Sequence, residues 1–168
     1  MADPASTDSE IIKVSEVPLW YRSLQVALIA SLIGLGISLG VVIYNYYKAD
    51  AVSDIFRQTR RPILQYRLEK GAWPSNFTFD KAPADLEAYD FSTVARGVRD
   101  LEVRGTWQFI IKSPDGRTAP RVIFKPEEDS LSNRRTLFAV DAQLDDGKEN
   151  SGRLLVVGGQ AEFTLMGE

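Results

Sequence analysis

Neither cysteine nor histidine occurs anywhere in the 168 residues. Without cysteine there can be no disulfide, thiolate nucleophile, iron–sulfur ligation or covalent haem attachment. The compartment stays undecided, because a cysteine-free domain folds in either redox environment. Without histidine, histidine triads, most zinc sites and histidine-ligated haem are excluded. Imidazole ligation of a (bacterio)chlorophyll magnesium is excluded as well. Carboxylate catalysis stays open as the weakest reading, and the chain is read as non-catalytic. Excess positive charge is missing too: a net charge of −3 provides no basic field to hold nucleic acid.

The most informative absence is local. From Ser23 to Tyr47 there are 25 residues without one charged side chain. A bilayer core needs about 20 apolar residues at about 1.5 Å each, so the run reads as one membrane-spanning helix. Trp20 and Tyr21 stand at one end, and Tyr44, Tyr46 and Tyr47 at the other. Such amphipathic rings belong at the two headgroup layers, and these five are the membrane-interface candidates. No basic segment precedes the run and no small-x-small cleavage site follows it, which predicts an uncleaved anchor. Within the run, Gly36 and Gly40 lie on one face, and Ala30, Gly34 and Ser38 form a second row of small residues. Small residues let another helix approach closely, so these five are the candidate helix-packing residues.

The run is preceded by a polar, acidic tail over residues 1–22 and followed by a second helical pattern. Val52, Ile55, Phe56, Thr59, Ile63 and Tyr66 form one helical stripe. Arg57, Arg60 and Arg61 fall on other faces and read as a solvated surface. A helix continuous from Leu24 to Lys70 would measure about 70 Å. Pro62 predicts a kink, since it offers no N–H to the carbonyl of Gln58. Gly71 is a C-terminal stop, and Pro74 blocks resumption.

Beyond that stop, Ala84–Tyr89 and Thr93–Leu101 are predicted as short helices, the second with Ser92 as N-cap. Trp107, Phe109 and Ile111 alternate with Gln108, Ile110 and Lys112, which predicts a strand. Ser113-Pro-Asp-Gly-Arg117 is a turn by its chemistry, and 121–125 returns as a partner strand. A third strand is predicted over 136–142. Leu154–Val157 and 161–166 flank Gly158-Gly159 and read as a closing hairpin. Strands following helices argue for an α+β domain with an antiparallel sheet. The predicted organisation is a tail over 1–22, a transmembrane helix over 23–47, its extramembrane continuation over 48–70 and a sheet domain over 71–168.

A membrane helix that runs into an amphipathic helix and then a small antiparallel sheet resembles the type IV pilins and the pseudopilins of type II secretion. The residues at the join strengthen the resemblance: Leu64-Gln-Tyr66, followed by Gly71-Ala72-Trp73-Pro74, is similar to the end of the long helix in many such proteins. Pro83, Leu86 and Tyr89, then Gly105-Thr-Trp107, continue it, over residues 24 to 125. The chain departs from that family where filaments assemble. It has no cleavage-site Gly before the apolar run and no acidic residue within it.

The resemblance implies an extracytoplasmic sheet domain in a bacterial inner membrane. Charge counting argues the other way. Lys13 and Arg22 precede the run, whereas Lys48, Arg57, Arg60, Arg61 and Arg67 follow it. The extracytoplasmic placement is the one expected here, on the resemblance.

The remaining motifs are weak. Asp141, Asp145, Asp146 and Glu149 gather oxygen ligands beside Gly147, and some pseudopilins bind calcium in a late loop. The spacing is not that of an EF-hand, and a solvated acidic turn is the simpler expectation. Asn76-Phe-Thr78 matches a glycosylation sequon, meaningful only in a eukaryotic secretory protein. Gly158-Gly159-Gln160 lacks the following Lys-Ser/Thr of a phosphate loop. No cofactor, metal, nucleic acid or small-molecule substrate is expected. The expected partners are the lipid bilayer and other membrane subunits, in a respiratory or photosynthetic assembly for example. An unprocessed pilin-like component of a secretion or pilus machine is the alternative.

Overall fold

The computed structural model describes residues 18–111, 119–148 and 150–165. The predicted Ser113–Arg117 turn, Glu149, Met166 and most of the N-terminal tail lie outside the described residues. The chain divides into two compact units, residues 1–40 and 41–168.

One helix, α1, occupies Leu19–Lys70. Its C-terminal half buries Ala49, Val52, Ile55, Phe56, Thr59 and Ile63. This is the stripe read from the sequence, with Tyr66 half-buried beyond it. Pro62 lies inside the helix, which continues to Lys70. Gly71 then takes φ +69°, and its N–H donates to the carbonyl of Arg67 at 2.9 Å. That left-handed turn is the stop glycine permits without a Cβ penalty.

A two-residue strand β1 (Phe77–Thr78) follows, then 3₁₀ turns at Phe79–Lys81 and Ala84–Tyr89 and helix α2 (Phe91–Asp100). The residue before α2 is Asp90, at φ +62°, and its Oδ1 accepts from the hydroxyl of Thr93 at 2.7 Å. Ser92 is therefore inside the helix and not its N-cap. The left-handed turn at Asp90 ends the 3₁₀ segment and starts α2 two residues earlier than its pattern suggests. A Cβ at Gly97 would stand 2.8 Å from Cδ1 of Ile55, so this glycine lets α2 lie close against α1.

Strands β2 (Gly105–Ile110), β3 (Arg121–Pro126), β4 (Leu154–Val157) and β5 (Gln160–Thr164) complete one antiparallel sheet in the order β1-β2-β3-β5-β4. Register places Trp107 opposite Phe124, Phe109 opposite Val122, and Phe163 opposite both Val122 and Leu154. These side chains share one face, as the two-residue period requires. Phe56 of α1 packs on that face, its ring 4.8 Å from Trp107 and 5.7 Å from Phe163. Gly158 and Gly159, at φ +59° and +77°, make the tight turn of the β4–β5 hairpin.

Residues 136–142 are not a strand. They belong to α3, Leu131–Leu144, which separates β3 from β4. The buried positions Thr136, Leu137, Val140 and Asp141 recur at helical spacing. Ser130 caps the helix, its hydroxyl accepting from the N–H of Asn133 at 3.1 Å. Tertiary packing on this face outweighs the strand propensity of a Thr-, Phe- and Val-containing segment.

The opposite sheet face carries a buried ion pair. Arg121 of β3 and Glu162 of β5 sit on a diagonal of the β3–β5 ladder, and Arg121 donates from Nη1 to Oε2 of Glu162. Oε1 of Glu162 accepts from Gln160 at 2.8 Å. Both residues are buried although charged, Arg121 at 2% and Glu162 at 8% exposure, and no local sequence pattern marks the pair.

Candidate functional site

Leu19–Tyr44 is solvent-exposed at every residue, although it is the most apolar part of the chain. This helix is long and apolar enough to cross a membrane. The three serines of Leu19–Tyr44 are satisfied locally. Ser31 donates to the carbonyl of Ala27 at 2.8 Å, Ser38 to that of Gly34 at 2.9 Å, and Ser23 to Leu19 and Trp20 at 3.0 Å. A hydroxyl bonded back into its own helix can sit in hydrocarbon without an unmet hydrogen bond.

The predicted packing residues all lie on this exposed surface. A Cβ built at Gly34, Gly36 or Gly40 meets nothing within 4 Å, so the glycines leave open backbone along the helix. Ala30 and Ser38 flank Gly34 on its row, one helical turn to either side. Among the interface candidates, Trp20 and Tyr21 meet edge to face with centroids 5.9 Å apart. Tyr44, Tyr46 and Tyr47 are exposed, and the ammonium of Lys48 lies 4.3 Å from the Tyr44 ring centroid.

Asn45 stands apart from its neighbours: it is 8% exposed, and its Oδ1 accepts from the hydroxyl of Ser132 at 3.0 Å. Further along, Arg57 pairs with Asp54 at 3.0 Å and donates to the carbonyl of Gln143 at 3.3 Å. Arg60 and Arg61 are exposed, as a solvated face requires.

The acidic cluster is brought together in part. Asp141, Asp145 and Asp146 present carboxylate oxygens within 4.8 Å of one another, and Glu149 lies outside the described residues. Two of the three carboxylates hold the loop between α3 and β4. Asp145 accepts from the N–H of Leu154 at 2.8 Å and from that of Arg153, where β4 begins. Asp146 accepts from the N–H of Lys148 at 2.9 Å and from the hydroxyl of Ser151 at 2.8 Å. The Ser151 bond holds the Asp146 carboxyl below its ordinary pKa. These bonds give the Asp-rich sequence a structural role as a loop clamp. Asn76, the sequon residue, is likewise engaged: its Oδ1 accepts from the N–H of Ile111 at 2.8 Å.

A surface depression of about 820 Å³ lies between the end of α2 and the β2–β3 pair. Its titratable lining is Arg99, Arg104, Lys125 and Glu127. A second, of about 610 Å³, is edged by Arg57, Arg61 and Tyr89. Both are open hollows, unlike the enclosed pockets of small-molecule sites.

The chain matches no protein-family model, no curated protein and no solved structure.

Proposed function

We propose that the run Ser23–Tyr47 crosses a bilayer once and that the chain is a non-catalytic structural or accessory subunit of a larger membrane assembly. One observation carries this reading. The most apolar stretch of the protein is left uncovered, and its serines are turned back into its own helix. Apolar surface on that scale needs lipid or another protein around it. The small-residue rows favour a partner helix, because open backbone at Gly36 and Gly40 lets one approach closely. On this reading residues 1–22 are the tail, 48–70 carry the helix out of the membrane and 71–168 form the domain that packs on the assembly. The host is a bacterial inner membrane with the sheet domain extracytoplasmic. A respiratory or photosynthetic complex is one natural setting.

The alternative is an unprocessed pilin-like component of a secretion or pilus machine. It is favoured by the layout of α1 against an antiparallel sheet and by the Gly71 stop. The missing cleavage Gly and the uncharged span count against polymerisation into a filament.

Gentle detergent extraction, native electrophoresis and mass spectrometry separate the two readings. Co-migration with a pigment- or haem-bearing complex supports the first, and co-purification with a secretion ATPase and platform protein the second. A well-behaved monomer in mild detergent contradicts both. Replacing Gly36 and Gly40 together with Leu is expected to release the chain from its complex while leaving the sheet domain's melting temperature unchanged. Undiminished complex recovery removes the packing claim. An alkaline phosphatase fusion after Glu168 is expected to be active; a well-expressed inactive fusion reverses the orientation.

A further inference from the structure

We infer that the first turn of α3 is a second membrane contact, with Leu131 seated at the lipid–headgroup boundary beside the end of the apolar run. The inference rests on the membrane-spanning reading of α1 and adds a surface of the sheet domain to it.

Two hydrogen bonds set the register of α3 against α1. Ser132 meets Asn45 at 3.0 Å, and the carbonyl of Gln143 meets Arg57 at 3.3 Å. Between those points α3 advances about 17 Å and α1 about 18 Å at the ordinary helical rise. The two helices therefore run side by side in the same direction, with the start of α3 level with Asn45. Asn45 lies before Tyr47, the last residue of the uncharged run, and before Lys48, the first charge after it. Less than one helical turn, about 5 Å, separates Asn45 from that charge. If Lys48 marks the headgroup layer, the first turn of α3 lies in it too.

Two side chains on one face of this end, Leu131 and Arg135, suit that place; the exposed acids Glu127, Glu128 and Asp129 precede them in the adjoining loop. Leu131, the first residue of α3, is 74% exposed. Cα–Cβ bonds in a helix tilt towards its N-terminus, which for α3 is the membrane side. Leu131 therefore leans towards the acyl region. Arg135 is exposed on the same face one turn further out, at the height of lipid phosphates. An apolar tip with a cation behind it is the order of groups that interfacial segments use. Asn45 would be an exposed amide at the edge of the hydrocarbon without α3; the Ser132 hydroxyl satisfies it and seats the helix at that depth.

The absence of cysteine makes the test clean, since one introduced cysteine is the only labelling site. Leu131→Cys, Leu35→Cys and Leu68→Cys, each in the full-length chain, are labelled with an environment-sensitive fluorophore. They are then reconstituted into phosphatidylcholine vesicles bearing nitroxides at the headgroup or at mid-chain. Leu68, exposed near the far end of α1, is the aqueous control. The expected result is blue-shifted emission at Leu131 with quenching by the headgroup nitroxide, no quenching at Leu68, and quenching at Leu35 by the mid-chain nitroxide. Quenching at Leu35 with Leu131 behaving like Leu68 overturns the inference and leaves the membrane-spanning reading intact. A blue shift at Leu131 without lipid quenching also overturns it, because protein and not lipid then covers the residue. Absence of quenching at Leu35 defeats both.

Discussion

The two halves of α1 belong to one helix and yet obey opposite rules. In Leu19–Tyr44 the apolar residues go all the way round the helix and every one is exposed. In Asn45–Lys70, Ala49, Val52, Ile55, Phe56 and Ile63 form one stripe that is buried in the sheet domain, while Asp54, Arg57, Arg60 and Arg61 face outward. A helix that is apolar all round needs an apolar surrounding that its own chain does not provide. A striped helix finds that surrounding in its own domain. The transition falls at Asn45, where the first buried polar residue of the helix bonds to Ser132.

The contrast predicts that damage in one half stays in that half. The largest effect belongs to Phe56→Ala. This ring is fully buried between Trp107 and Phe163, and truncation of such a side chain costs about 3–5 kcal/mol. The sheet domain is expected to melt far lower while the protein stays in the membrane fraction. Loss of membrane association in this variant would mean that the domain, and not the apolar run, holds the protein there. Ile37→Arg is the converse. A charge at the middle of a span costs about 3 kcal/mol of insertion, so the membrane-bound fraction should fall with the domain's melting temperature unchanged. A variant that inserts as well as the parent would break the comparison.

Gly71→Ala marks where the striped half ends. Its φ of +69° penalises a Cβ, and a loss of about 1 kcal/mol is expected in denaturant unfolding. No change would show that the turn relaxes to a right-handed conformation. The smallest effect is electrostatic. Hydrogen bonds from Arg134 hold the Asp129 carboxyl below its ordinary value, at the entrance to α3. A lowered folded-state pKa gives stabilisation that is present above the unfolded value and lost as pH falls through the folded one. The melting-temperature advantage of the parent over Asp129→Asn should therefore be level at neutral pH and shrink only in acid. Both side chains are more than half exposed, so the difference will be slight and reduced by salt. An advantage that persists unchanged into strong acid would assign it to something other than this pair.

Much of the fold is legible because its signals are local and strong. The uncharged run, the stripe from Val52 to Ile63, the glycine stop and the Gly158-Gly159 hairpin each follow from a period or a backbone requirement carried by a few adjacent residues. The α3 segment misleads for a physical reason. Thr136, Phe138 and Val140 favour an extended chain, and only Ser130 as a cap and the spacing of its buried residues identify a helix. Strand β1 is two residues long, too short for any period to register. Of the candidate sites, the small-residue rows can be read directly because glycine spacing on a helix is a sequence property. The acidic cluster can be read as a cluster, but its work at the start of β4 cannot. That role depends on Arg153 and Leu154 presenting their N–H groups to Asp145 across a loop. Nor does any local pattern mark the Asn45–Ser132 bond, which joins residues far apart in the chain.

The central claim is that the first half of α1 passes through a bilayer while the second half belongs to a folded domain. Protease protection in sealed membrane vesicles tests this most directly, using full-length protein with one epitope before Met1 and another after Glu168. One epitope is expected to be digested at once and the other only after detergent is added. Digestion of both epitopes in intact vesicles, or protection of both, would contradict the claim.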